Sequence, residues 1–105
     1  MTVDIELLVV PDCPNGADAI NIIRTAVADT HVASHITCTV ITTEQQACQR
    51  GFTGSPTILL NGTDPFSKPG QPIGLTCRLY STSAGLRGVP DLTDLRRALK
   101  QVAAS

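Results

Sequence analysis

The hydrophobic and polar positions fall into short blocks. Val3, Ile5, Leu7 and Val9 alternate with Asp4 and Glu6, after which Leu8 and Val10 make the second face apolar as well. The pattern predicts a strand over 3–10 that enters from an exposed end and becomes covered on both faces. Within 17–28, Ala19, Ile20, Ile23, Ala26 and Val27 share one stripe while Asn21 and Arg24 lie off it, which predicts an amphipathic helix. Residues 29–35 then connect to a β-branched run, Ile36–Thr42, that reads as a second strand. Strand, helix and strand in this order imply a right-handed parallel crossover.

Thr43 with Gln46 three residues later has the form of a capping box, and Gly51 is a natural stop for the short helix between. Gly54-Ser55-Pro56-Thr57 leads into the apolar Ile58-Leu59-Leu60, a third strand closed by the Asn61-Gly62 turn. Pro65, Pro69, Pro72, Gly70 and Gly74 predict a long ordered loop over 63–75. Thr76–Thr82 reads as a fourth strand, antiparallel to the third and closed by a turn around Gly85 and Gly88. The last helix begins near Pro90-Asp91, with Leu92, Leu95, Leu99 and Val102 on one face. Arg96, Arg97 and Lys100 lie toward its C-terminal part, where cations complement the helix dipole. The expected order is β-α-β-α-β-β-α: an α/β domain over 1–105 with a four-stranded mixed sheet flanked by helices.

Composition narrows the function classes. A chain of 105 residues has room for one core, and 42% hydrophobic against 16% charged residues suits a compact globule. With two Phe, one Tyr and no Trp, that core must be mostly aliphatic. A net charge of −1 gives no electrostatic footprint for nucleic acid. No apolar run is long enough to span a bilayer. Asp4 and Glu6 interrupt the N-terminus where a signal peptide needs a positive region followed by unbroken apolar residues, so a cytoplasmic chain with reduced cysteines is expected. The four cysteines (13, 38, 48, 77) form no C-x-x-C pair, which argues against a structural zinc site. His31 and His35 have no third ligand near them in sequence and read as surface residues.

The candidate chemistry lies in Pro11-Asp12-Cys13-Pro14-Asn15-Gly16, between the first strand and the first helix. Pro14 suits a first helical position, which puts Cys13 at the N-cap. There the unpaired N–H groups and the helix dipole favour a thiolate over a thiol, while the charge of Asp12 next to it opposes them.

This element order, a Cys-Pro at the start of the first helix and Gly54-Ser55-Pro56-Thr57 at the opening of the third strand together resemble the thioredoxin-like superfamily at glutaredoxin size. The resemblance extends over nearly the whole chain and includes small bacterial thioredoxin-like proteins. It implies a cis Ser55–Pro56 bond lying against a reactive Cys13. It also implies a substrate site made of Asp12 and Pro14 on one side and Ser55, Pro56 and Thr57 on the other, with the Ser55 backbone free to pair with an extended thiol-bearing ligand as an added strand. The chain departs from the dithiol members at Gly16, where their second cysteine stands. It also lacks the C-G-F-S signature of cluster-binding monothiol members, so no cofactor is expected.

The remaining cysteines read differently. Cys38, mid-strand, is expected to be a small buried hydrophobe. Cys48, on the short second helix, is the candidate resolving thiol. Cys77 opens the fourth strand and is expected at the end of the sheet opposite Cys13, since a five-residue strand spans about 17 Å, beyond disulfide reach; only a long loop that folds back before it would bring it to pair with Cys13. Arg78 reads as an edge-strand residue beside it, and Asp64-Pro65-Phe66 as a loop anchor. Two functions compete. One is a monothiol oxidoreductase acting on mixed disulfides with a low-molecular-weight thiol or a client protein. The other is a non-catalytic module that holds a peptide, a thiol ligand or a soft metal ion in the groove between Cys13 and Pro56. A third reading, a protein that dimerises through a sheet edge, has no residue marking the edge.

Overall fold

The computed structural model describes residues 2–104. Its elements are β1 (Val3–Val9), α1 (Gly16–Thr30), β2 (Ser34–Val40), α2 (Glu44–Arg50), β3 (Thr57–Leu60), β4 (Tyr80–Thr82), β5 (Gly85–Arg87) and α3 (Leu92–Ala103). β1 is the central strand of a three-stranded sheet in the order β2-β1-β3. It runs parallel to β2, from Val3 opposite Ser34 to Val9 opposite Val40, and antiparallel to β3.

The double-sided apolar pattern of β1 is explained by what covers it. Val3, Ile5, Leu7 and Val9 face a core shared with Ala19, Ile23 and Ala26 of α1 and Leu95, Ala98 and Leu99 of α3. Leu8 faces the opposite way, into a smaller core with Ile41, Ala47, Phe52 and Leu59 under α2. Glu6 shares that second face at its open end, where its carboxylate takes hydrogen bonds from Arg50 and Thr39. The capping box of α2 is present on Thr43 and Gln46, and Gly51 closes the helix in the left-handed region at φ 60°. Among the described residues, no helix is long and apolar enough to cross a membrane.

The four-stranded sheet is not formed. Of the expected fourth strand only Tyr80–Thr82 is a strand, and it pairs with β5, a strand not expected from the sequence, in a separate two-stranded hairpin. The cause lies in the 63–75 loop. Beyond one bridge from Leu60 to Thr63, the prolines cannot donate to a β3 partner. The loop is then carried back to the beginning of β3, because Leu75 packs on the α2-side core and the Gly74 N–H donates to the Phe52 carbonyl at 3.2 Å. Delivered at that end, Thr76–Arg78 runs parallel to the start of β3, not antiparallel along it, and meets it in a single bridge between Ser55 and Cys77.

Two smaller expectations also change. Cys38 is exposed, not buried, because β2 is an edge strand with one face largely in solvent. Arg78 is buried at 4% exposure, not solvated on an edge.

Candidate functional site

Helix α1 starts later than its prolines suggest. Asn15, not Cys13, is the N-cap, and the Gly16 N–H donates to the Cys13 carbonyl at 3.2 Å. The turn before it is set by Asp12, whose φ of 57° lies in the left-handed region that Asp tolerates better than most residues. Cys13 is thereby laid on the rim of the main core, half-buried, while Asp12 and Pro14 remain exposed.

What faces the sulfur is Ser55. The Ser55 hydroxyl donates to Cys13 Sγ at 2.8 Å and accepts from the Val10 N–H at 3.1 Å. The hydroxyl is fully buried, and the Val10 amide takes one of its two acceptor positions while its proton is given to the sulfur. The Ser55–Pro56 bond is cis, as the resemblance implies.

The other residues across from Cys13 are engaged elsewhere. Thr57 is buried; its hydroxyl donates to the Gly54 carbonyl at 2.6 Å and accepts from Arg78 Nη1 at 3.3 Å. The Pro56 carbonyl accepts the Tyr80 hydroxyl. The Ser55 backbone, expected to be free for a ligand strand, is already paired. Its N–H donates to the Thr76 carbonyl at 2.8 Å, and its carbonyl accepts the Arg78 N–H at 3.0 Å. The chain thus supplies its own added strand at this position, with Cys77 as the residue in register with Ser55.

Arg78 locks that segment in place. Its guanidinium meets Asp64 Oδ2 at 2.6 Å and the Phe66 carbonyl at 2.9 Å, and lies 4.6 Å from the centre of the Tyr80 ring. The Asp64-Pro65-Phe66 anchor is formed as expected, with Asp64 Oδ1 accepting the Phe66 N–H at 2.8 Å and Phe66 edge-on to Tyr80. Gly54 makes the close approach feasible, since a Cβ there would lie 2.9 Å from Arg78 Cβ. A cavity of about 260 Å³ opens beside Phe66, Lys68, Gln71, Tyr80 and Pro90, on a wall that Cys13 does not line.

All four cysteines are free thiols. Cys48 lies on the exposed side of α2, the helix covering the sheet face opposite α1. Cys77 is exposed and stands beside Ser55, not at the far end of the sheet. The signal for this was present in the sequence: an Arg next to Cys77 and an Asp at the head of the Pro-rich loop can pair only if the loop doubles back. Among the described residues no cluster of three His, Cys, Asp or Glu side chains suited to a metal ion is found. Comparison of the chain with protein families, with curated proteins and with solved structures gives no match.

Proposed function

We propose that this chain carries out thiol–disulfide exchange with Cys13 as the nucleophile, acting on a low-molecular-weight disulfide or a client protein disulfide in a reducing, cytoplasmic setting. The observation that carries this reading is the buried Ser55 hydroxyl whose proton is aimed at Cys13 Sγ. In the exchange, Cys13 Sγ gives its proton to solvent and attacks one sulfur of the disulfide. A Cys13–S bond forms, the S–S bond breaks, and the second sulfur leaves as a thiolate with the electron pair. The Ser55 donor holds Sγ in place and stabilises the negative charge that sits on it before attack and returns to it on release. The resemblance to the thioredoxin-like superfamily, carried in the sequence by Cys13-Pro14 and Gly54-Ser55-Pro56-Thr57, supports the same chemistry.

The test is turnover of a glutathionylated peptide with glutathione as the regenerating thiol. Wild-type protein is expected to accelerate deglutathionylation and Cys13→Ser to lose the acceleration; turnover retained by C13S would exclude Cys13 as the nucleophile. The Ser55 backbone, where an extended ligand would pair, is closed by the chain's own Thr76–Arg78, so neither the exchange reading nor a module that binds without turnover takes its ligand as an added strand there. A thiol adduct that forms on Cys13 and is never released would support that module.

A further inference from the structure

We infer that Cys77 is the second thiol of this protein, positioned to close an intramolecular disulfide with Cys13 after Cys13 has been captured in a mixed disulfide. The inference rests on the exchange reading at Cys13 and adds to it the residue that completes the cycle. Three contacts converge on Ser55. Its hydroxyl holds Cys13 Sγ at 2.8 Å, its N–H holds Thr76, and its carbonyl holds Arg78. Cys77 is the residue between those two, in register with Ser55.

Register has a consequence for direction. Side chains alternate across a strand, so two residues paired across a bridge project to the same face. Cys77 therefore projects on the side where the Ser55 hydroxyl meets Cys13. Residues paired on adjacent strands stand about 4.8 Å apart, so the bridge carries Cys77 to the immediate neighbourhood of Ser55. Cys77 is one such spacing from Ser55, and Cys13 is one hydrogen bond from it. Cys77 is also exposed, so its side chain rotates without displacing core residues. Arg78, buried and paired to Asp64, keeps the segment against Ser55 while it does so. Cys48 has none of these ties to Ser55.

The chemistry balances with a disulfide of the type R–S–S–R′ as oxidant. Cys13 attacks and releases R′–S⁻, leaving Cys13–S–S–R. The Cys77 thiolate, its proton given to solvent, attacks Cys13 Sγ and expels R–S⁻. The substrate disulfide gains two electrons and becomes two thiols, while Cys13 and Cys77 lose two electrons and become a disulfide. A dithiol, or two equivalents of a low-molecular-weight thiol acting in succession, reduces the Cys13–Cys77 disulfide to two thiols and leaves as its own disulfide.

The experiment treats reduced, folded full-length chain with oxidised glutathione, quenches it in acid and maps the cysteines by mass spectrometry of the digest. Wild-type protein is expected to yield a Cys13–Cys77 linked peptide pair with both halves of the glutathione released. Cys77→Ser is expected to stop at glutathione bound to Cys13, and Cys77→Ala to do the same. A wild-type chain that retains glutathione on Cys13 as stably as C77S does, or that links Cys13 to Cys48 or Cys38, overturns the assignment of Cys77 and leaves the exchange reading standing. A chain whose Cys13 stays unmodified while other cysteines take up glutathione overturns both.

Discussion

Arg78 Nη1 meets Asp64 Oδ2 at 2.6 Å with the two side chains 2% and 14% exposed, and this pair fixes the path of the chain on either side of Cys77. Removing one partner of a buried ion pair leaves the other charge without compensation, at a cost of about 3–5 kcal/mol. Asp64→Asn is therefore expected to lower the urea midpoint of unfolding by the equivalent of about 3 kcal/mol, and Arg78→Met to cost less, since the charge it leaves behind, on Asp64, is the more exposed of the two. A second readout separates the local from the global effect: under native conditions D64N should raise the alkylation rate of Cys77 more than that of Cys13. Equal acceleration of both would show that the pair stabilises the whole fold and does not specifically hold Thr76–Arg78.

Ser55 is expected to matter for rate as well as for folding. A hydrogen bond to a charged group contributes about 1.5–3 kcal/mol, and each 1.36 kcal/mol is tenfold in rate. Ser55→Ala should thus slow the reaction of Cys13 with a small disulfide by about tenfold or more at neutral pH. The same change leaves the Val10 N–H without its acceptor, at a cost of about 1–3 kcal/mol, so rates should be compared in the folded baseline of the urea curve. An unchanged Cys13 rate would mean that the Ser55 proton does not serve the sulfur.

Gly88 is tied to the turn before α1 by lack of space. A Cβ at 88 would fall 2.2 Å from Asn15 Nδ2, so Gly88→Ala must push the Asn15 side chain aside. Asn15 makes no side-chain cap hydrogen bond, so the helix start loses no capping bond when it moves. The expected cost is about 1–2 kcal/mol from overpacking. Because the clash is with one side chain, Asn15→Ala should relieve it: the double variant N15A/G88A is expected to be more stable than the sum of the singles implies, in a double-mutant cycle read by thermal unfolding. Additive effects would show that the backbone at 88, not Asn15, absorbs the strain.

Much of this arrangement was legible in the sequence, and the parts that were not share a physical cause. The alternation in Val3–Val9, the α1 stripe, the Thr43–Gln46 capping box and the leucines of α3 each follow a local period, and each element is where its period puts it. The cis Ser55–Pro56 bond followed from resemblance. The fourth strand failed because β-branched and polar residues at 76–82 specify an extended chain but not its partner. That partner was decided by Leu75 and Gly74, which dock at Phe52, and by Arg78, which needs Asp64. Cys38 was misjudged for a related reason: a strand that reads as β-branched carries no local mark of lying at a sheet edge. The α1 start was placed too early because Pro14 fits a first turn as well as it fits the tight turn that Asp12 begins.

At low pH the surface pair between Glu6 of β1 and Arg50 of α2 is expected to show. Hydrogen bonds from Arg50 and then Thr39 hold the Glu6 carboxyl below the ordinary carboxylate range, with partial burial opposing them. A carboxyl lowered in the folded state contributes stability that is present above its unfolded value, about 4.3, and is lost as pH falls through the folded one. Urea midpoints measured from pH 6 to pH 3 should fall more steeply for wild type than for Glu6→Gln, and parallel slopes would remove Glu6 from the acid response.

Tyr80 governs the opposite limb. Burial pushes its hydroxyl well above the ordinary tyrosine value of 10.0; the Arg78 charge partly opposes this and the Asp64 charge adds to it. The hydroxyl needs its proton, since it donates to the Pro56 carbonyl beside Ser55. In the unfolded chain the phenol ionises near pH 10, whereas in the folded chain it stays neutral to higher pH. Above pH 10 the unfolded state therefore binds fewer protons than the folded one, and stability falls as pH rises. Tyr80→Phe should be less stable than wild type at pH 7, having lost a buried hydrogen bond worth about 1 kcal/mol. The gap should narrow as pH rises through 10 to 11, because only the wild type has a phenol to ionise on unfolding. A gap that stays constant across that range would mean that Tyr80 titrates alike in both states, and that its link to the Pro56 carbonyl is broken in solution.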